Sequence, residues 1–220
     1  MSEGKKELSS EMHSLFIETI PEKKILVDKE RNLYEIIPKH RLFTVYIGKF
    51  FEQKRGLHNV FQQLREAKEE DYLVLRINSG GGLILEGQQF YNVIQEKFYN
   101  RVIAYLDNYG YSMGALLFCM ANKRVAYKYS DFMFHNYSSG IVGKGGEIKD
   151  RFKHTNKKLK QFFKEIIVKN GFLTKKEFKQ LLLGKDFWMD TKELCKRGIA
   201  THVIIEGKEI TAKEYLEKYS

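Results

Sequence analysis

Cysteine and proline are scarce in this chain, two of each in 220 residues. Both thiols, Cys119 and Cys195, fall in apolar helical patterns, which reads as buried free sulfur rather than a disulfide. That argues against a disulfide scaffold and for a reducing, cytoplasmic setting. The opening Met1-Ser2-Glu3-Gly4-Lys5-Lys6 lacks the apolar stretch of a secretory signal, so export is not expected. No apolar run approaches the ~20 residues needed to span a bilayer, and no membrane partner is expected. The phosphate-loop frame G-x-x-x-x-G-K-[ST] is missing, and Gly143-Lys144-Gly145-Gly146 does not supply its spacing. His-Glu-x-x-His is missing too, and His13, His40, His58, His135, His154 and His202 show no zinc-ligand spacing. The glycines near position 80 follow a strand but give no convincing dinucleotide fingerprint. No metal or other cofactor is therefore expected, and the chemistry has to come from side chains.

What is abundant is lysine and apolar side chains. The formal charge is +10, and 43% of residues are hydrophobic. A basic balance can mark a nucleic-acid binder when the charge gathers on one face. Here the lysines spread over nearly every polar position, densest at Lys153–Lys164 and Lys175–Lys179, where they alternate with apolar residues at helical spacing. Solvated helix faces account for that pattern, and no nucleic-acid partner is expected. The length suits one domain with a sizeable core plus an arm. Residues 1–40, interrupted by Pro21 and Pro38, read as the arm, and 41–220 as the domain.

Along the domain, periods of two and of 3.6 alternate. Strands are predicted at 42–47, 73–77, 101–106, near 123–127, 132–135 and 201–205, and helices at 56–68, 86–98 and from Met113 to about 121. This order argues for α/β with largely parallel strands. Residues 147–169 read as a long amphipathic helix with Ile148, Phe152, Leu159, Phe162, Phe163, Ile166 and Ile167 on one stripe, ending at Asn170-Gly171. Thr174-x-x-Glu177 then opens a second helix with a capping box.

The most informative stretch is Tyr109-Gly110-Tyr111-Ser112-Met113-Gly114-Ala115. It sets a serine where an apolar strand becomes an apolar helix. A hydroxyl there can face a cleft while the next N–H lies free at the helix start, which meets two needs of acyl transfer. An ordinary helix cap would look the same. Upstream, the strand ending Ile77-Asn78-Ser79 runs into Gly80-Gly81-Gly82, either a plain turn or a loop that lets backbone approach a ligand. Downstream, Phe132-Met133-Phe134-His135-Asn136-Tyr137 carries a strand-end histidine, a residue that is commonly structural. Further on, Gly184-Lys185-Asp186-Phe187-Trp188-Met189 sets an acid beside an apolar cluster. Together they make a plausible Ser–His–Asp triad gathered from separate loops.

The blocks at 77–82, 111–115, 133–136 and 186–189 stand in the order and near the spacing of the proteolytic subunits of the Clp protease, ClpP, and the chain resembles that family from about residue 40 to 206. The resemblance implies a fold, the stacked ββα spiral shared with crotonases, with a protruding helical handle at about 138–183. It implies Ser112 as nucleophile, His135 as general base and then acid, and Asp186 orienting the imidazole. The oxyanion would rest on the N–H groups of Gly82 and Met113. Leu83 and Ile84 on one side and Tyr137, Ser138 and Ser139 on the other would pair with an extended polypeptide. Gly140–Gly146 takes the place of the family's Gly-rich handle strand. The implied assembly is a heptameric ring, or a stacked pair of rings, enclosing the active sites, with ATP used only by a separate AAA+ unfoldase.

Three departures touch substrate preference more than chemistry. Gly80 stands where the family has proline, Asn136-Tyr137 where it has Gln-Pro, and Tyr109 and Tyr111 where small residues are common. The resemblance extends to phage-encoded ClpP-like peptidases that process prohead or scaffold proteins in the host cytoplasm. A crotonase-type acyl-CoA enzyme and a non-catalytic ring subunit are the readings from other classes.

Overall fold

In a computed structural model, the described residues are the strands at 15–19, 24–28 and 33–36, followed by 40–48 and 57–219. The rest of the predicted arm, residues 1–14, 20–23, 29–32 and 37–39 with Pro21 and Pro38 among them, lies outside the described residues. Strands β1 (Leu15–Thr19), β2 (Lys24–Asp28) and β3 (Leu33–Ile36) precede the domain. β2 and β3 form a separate antiparallel pair, while β1 lies antiparallel to β4 (Arg41–Ile47) at the edge of the main sheet.

The domain alternates as its sequence periods require. After β4 come α1 (His58–Arg65), β5 (Tyr72–Ser79), α2 (Ile84–Lys97), β6 (Val102–Tyr111), α3 (Met113–Cys119), β7 (Lys123–Tyr127) and β8 (Asp131–Phe134). β4, β5, β6 and β7 are mutually parallel in that spatial order. Alternate residues of β4, β5 and β6 (Phe43, Val45, Ile47; Leu73, Leu75, Ile77; Val102, Ala104, Leu106) are buried. With Phe61 and Leu64 of α1 and Phe90, Val93 and Ile94 of α2 they form one core. Phe43 meets Phe98 edge-on at 5.7 Å and Phe61 meets Phe90 at 5.1 Å. Each such side chain taken fully from water contributes about 1.5–3 kcal/mol.

β6 outruns its predicted end by five residues, reaching Tyr111 rather than stopping at 106. Its first half pairs with β7 and its last three residues, Tyr109–Tyr111, pair in parallel with Asp131–Met133 of β8. One long strand thus serves two neighbours and carries the chain to the serine.

A protruding segment follows β8. α4 (Gly145–Phe163) continues into a π-helical turn at Lys164–Val168, and α5 (Lys175–Leu182) packs back. Gly171 (φ +78°) turns the chain between them. Thr174 caps α5 as its motif predicts: its hydroxyl accepts from Glu177 N at 3.2 Å, and the Glu177 carboxylate accepts from Thr174 N at 2.8 Å. One expectation fails here. Residues 140–144 form no strand and Gly145-Gly146 open the helix, since no strand lies beside them among the described residues to complete a ladder. Of the apolar stripe, the C-terminal end (Leu159, Phe163, Ile166, Ile167) is buried, while Phe152 is 51% exposed, because the first turns of α4 extend past the core.

The chain closes with β9 (Phe187–Asp190), α6 (Thr191–Lys196), β10 (His202–Ile205), β11 (Lys208–Thr211) and α7 (Ala212–Tyr219). β9 is antiparallel to β8, and β10 extends the sheet in parallel beyond β7. Cys119 and Cys195 are buried and free. Burial pushes both thiols up, Cys195 to about 11. No helix among the described residues is long and apolar enough to cross a membrane.

Candidate active site

β5 and β6 run parallel, with Ser79 paired to Gly110, so the glycine turn after β5 and the serine after β6 emerge side by side. Carboxyl ends of neighbouring parallel strands are where open α/β sheets present their ligands.

Ser112 holds φ 55°, ψ −120°, a sparsely populated conformation for a residue with a Cβ. Its hydroxyl makes no capping bond to α3, although it occupies the N-cap position. Asp190, at the same position of α6, does cap, accepting from Glu193 N at 2.8 Å. The ordinary-cap reading of Ser112 therefore fails, and strain without a cap is the signature of a nucleophile elbow. The frame Gly110-x-Ser112-x-Gly114 encodes it, a spacing overlooked when the stretch is read only as a strand-to-helix junction. Gly114 is required because a Cβ there would lie 3.0 Å from the Ser79 carbonyl oxygen. The elbow is fixed from behind by Ser112 N donating to the Met133 carbonyl at 3.0 Å.

Gly81 (φ +106°) brings the glycine turn against this elbow, and a Cβ on it would sit 2.7 Å from Ser112 Cβ and 3.1 Å from Met113 N. Gly81 N donates to Ser79 Oγ at 3.2 Å. Among the described residues the N–H groups of Gly82 and Met113 donate to nothing. Met113 directly follows the serine and Gly82 directly follows the glycine packed against it, so both free N–H groups belong to the two turns that meet here.

Ser112 and His135 line one small pocket together with Ile84, Met113, Leu116, Phe134, Tyr137, Phe163 and Ile167. Apart from the serine, the histidine and the Tyr137 hydroxyl, its wall is apolar. Another cavity lies elsewhere, between Asp107, Tyr127 and Ile204–Gly207, and holds none of the predicted site residues. Asp186 is positioned by register. Phe134 pairs with Phe187 at the end of the β8–β9 ladder, so His135 and Asp186 lie just past its last pair; Asp186 is exposed and is not part of the pocket lining. Asn136 fixes the chain after the histidine, donating from Nδ2 to the Leu182 carbonyl at 3.1 Å, and Tyr137 Oη donates to Asn156 Oδ1 of α4 at 3.2 Å.

The five backbone and pocket positions fare differently. Ile84 and Tyr137 line the pocket, Leu83 stands half-exposed at the start of α2, and Ser138 and Ser139 are exposed coil away from the lining. Among the described residues no hydrogen bond joins the side chains of Ser112, His135 and Asp186. The sequence reading did not find Phe163 and Ile167, which reach the pocket from the handle. It also noted Tyr111 only as a departure. The Tyr111 hydroxyl donates to Asp131 Oδ2 at 2.7 Å; burial, then that bond, push it up to about 12, so it stays a donor at any working pH. No cluster of three or more His, Cys, Asp or Glu side chains among the described residues could hold a metal ion.

A family profile described as Clp protease matches residues 32–207. Over 158 residues the chain is 25% identical to the ATP-dependent Clp protease proteolytic subunit 2 of Pseudomonas aeruginosa, covering 70% of this chain and 77% of that protein.

Proposed function

This chain belongs to the Clp protease family of serine peptidases, and from that premise we propose that it cleaves unfolded polypeptides with a Ser112–His135–Asp186 triad inside an oligomeric barrel. The observation that carries the reading is the strained, uncapped Ser112 sharing a pocket with His135.

In the proposed cycle Ser112 Oγ bonds to the scissile carbonyl carbon as His135 takes the hydroxyl proton. The oxyanion rests on Gly82 N–H and Met113 N–H. Collapse breaks the C–N bond, and His135 gives its proton to the departing amine. Water, deprotonated by His135, then hydrolyses the acyl-enzyme and restores Ser112. Asp186 holds the imidazole and its developing charge. Ile84, Leu116, Phe134, Phe163 and Ile167 favour an apolar side chain next to the cleaved bond.

The outward turns of α4 support assembly. Ile148 and Phe152 lie one turn apart and exposed there, and Val142 just before them is 94% exposed. Apolar surface so placed is what a second copy would cover, in line with a ring or paired rings. With no phosphate loop in the chain, ATP would be spent by a separate AAA+ unfoldase, and free buried thiols suit the cytoplasm. The open triad would close on assembly or on substrate binding.

Fluorophosphonate labelling of the purified assembly tests the reading. Wild type should label, and Ser112→Ala should neither label nor hydrolyse an unstructured polypeptide while sedimenting as wild type does. Cleavage retained by Ser112→Ala would overturn the assignment. A wild type that assembles but does not label would leave a non-catalytic ring subunit, the reading the unjoined triad favours.

A further inference from the structure

We infer that Tyr111 is a positioning residue for the proposed triad, acting through a single cross-strand rung that ties the three triad-bearing strands together. The inference rests on the reading of Ser112, His135 and Asp186 given above.

Tyr111 pairs with Met133 of β8, and Met133 pairs with Trp188 of β9. The three therefore form one row across the sheet and share a face. Each stands next to a proposed triad member: Tyr111 is one residue before Ser112, Met133 two before His135, and Trp188 two after Asp186. The row is locked at both ends. The Tyr111 ring meets the Trp188 ring edge-on with centroids 5.2 Å apart, so it reaches over Met133 to the third strand. Its hydroxyl donates to Asp131 Oδ2, and the other oxygen of that carboxylate accepts from Phe132 N at 2.9 Å. Tyr109, 5.0 Å away centroid to centroid, backs the ring on its own strand.

The arrangement has a physical purpose. β6 and β8 share only three register pairs, and β8 and β9 only four, so backbone ladders alone hold these strands over a short distance. Ser112 keeps a strained conformation, which costs about 1–3 kcal/mol and persists only when its surroundings over-determine it. A side chain that fixes the spacing from β6 to β8 and β9 at the rung directly behind the serine sets how far Oγ stands from the His135 ring. Aromatic cross-strand pairs and a charge-assisted hydrogen bond are the strongest devices a sheet has for that purpose. Tyr111 is not part of the pocket lining that Ser112 and His135 share.

Tyr111→Phe keeps the ring and loses only the hydroxyl; Asp131→Asn weakens the same bond from the other side. Both are measured singly and together on a fluorogenic peptide with an apolar residue before the cleaved bond. Each single change should lower kcat about 2- to 10-fold, with KM unchanged and fluorophosphonate labelling slowed by the same factor. The double variant should be no slower than the slower single one, because both remove one interaction. Trp188, the chain's single tryptophan, reports whether the rung stays packed, and its emission and the thermal midpoint should match wild type. Wild-type kcat in Tyr111→Phe, additive losses in the double variant, or losses that follow a shift in Trp188 emission would each overturn the inference. Ser112→Ala runs alongside: if it still labels, the triad reading itself falls. If it is silent while Tyr111→Phe is fully active, only the positioning role falls.

Discussion

Replacing Gly81 with alanine tests the oxyanion turn at the point where the structure leaves least room. The added Cβ would lie 2.7 Å from Ser112 Cβ, 3.0 Å from the Tyr111 carbonyl oxygen and 3.1 Å from Met113 N. Ordinary contact begins at 3.4 Å, so the turn and the elbow must separate by roughly 0.7 Å. Two of those neighbours are backbone atoms and the third is a Cβ, so no flexible side-chain end can absorb the shift. The retreat carries the Gly82 N–H with it, out of the narrow range in which a donor holds an oxyanion. Losing one such donor costs about 10²- to 10³-fold in turnover. Alanine at φ +106° adds strain of about 1–3 kcal/mol, which should show as a lower thermal midpoint.

Gly80 supplies the control. Nothing lies within 4 Å of a Cβ built on it. Gly80→Ala should keep kcat/KM close to wild type, while Gly81→Ala falls at least about 100-fold on the same fluorogenic peptide. If Gly81→Ala retained wild-type turnover, the turn would not form the oxyanion site. Equal losses in the two variants would show that the cost comes from general loop stiffness and not from the approach to Ser112.

Two predictions concern stability. Asp71 is fully buried, and its carboxylate accepts from Arg41 Nε, Arg41 Nη2, Arg41 N and Lys68 N at 2.7–3.1 Å; burial works to raise its pKa, but Arg41 and these N–H groups hold it below the usual range. Asp71→Ala should cost about 3 kcal/mol in denaturant unfolding, and a loss under about 1 kcal/mol would refute that pairing's importance. Glu177 is held down to about 2, chiefly by its hydrogen bond to Arg197, whose guanidinium lies 3.0 Å away. A depressed carboxylate stabilises the fold above its unfolded value of 4.5, and the contribution is lost as pH falls toward 2. Glu177→Gln should therefore lower stability at neutral pH and flatten the acid limb between those values, as followed by thermal midpoints; an unchanged acid limb would refute it.

The strands and helices of the domain were legible because their apolar residues keep clean periods, and the capping box at Thr174 was legible because it is local chemistry. The full length of β6 was not. Asp107-Asn108-Tyr109-Gly110 breaks the apolar run, yet Tyr109–Tyr111 is held as strand by β8, a partner that follows later in the chain. How much of the α4 stripe is buried was not legible for a related reason. Helical spacing shows that Ile148 and Phe152 share a face with Leu159, but not that the core ends before reaching them. The triad candidates were legible as residue types at strand ends. What sets His135 and Asp186 at the same end of one strand pair is the antiparallel register of β8 and β9, a tertiary fact that no local pattern contains. Tyr111 was visible only as a departure from a family pattern, and its partners Asp131 and Trp188 lie 20 and 77 positions away in the chain.

The site divides into a part the single chain fixes and a part it leaves adjustable. Ser112 is set by its N–H on Met133, by the glycine contacts at 81 and 114, and by a helix starting at the next residue, so its strain is stored in rigid elements. His135 and Asp186 stand one rung past the end of the β8–β9 ladder, where no backbone pair holds them. The segment after His135 is tied instead to the handle, through Asn136 to the end of α5 and through Tyr137 to Asn156 of α4. Phe163 and Ile167 of that same segment line the pocket. Any partner that covers the exposed face of α4 would therefore act on the acid–base half of the proposed triad and on the pocket wall together, while the nucleophile stays where the sheet put it. If the proposed assembly forms, it would in this way be both the container for the substrate and the condition for His135 to meet Ser112.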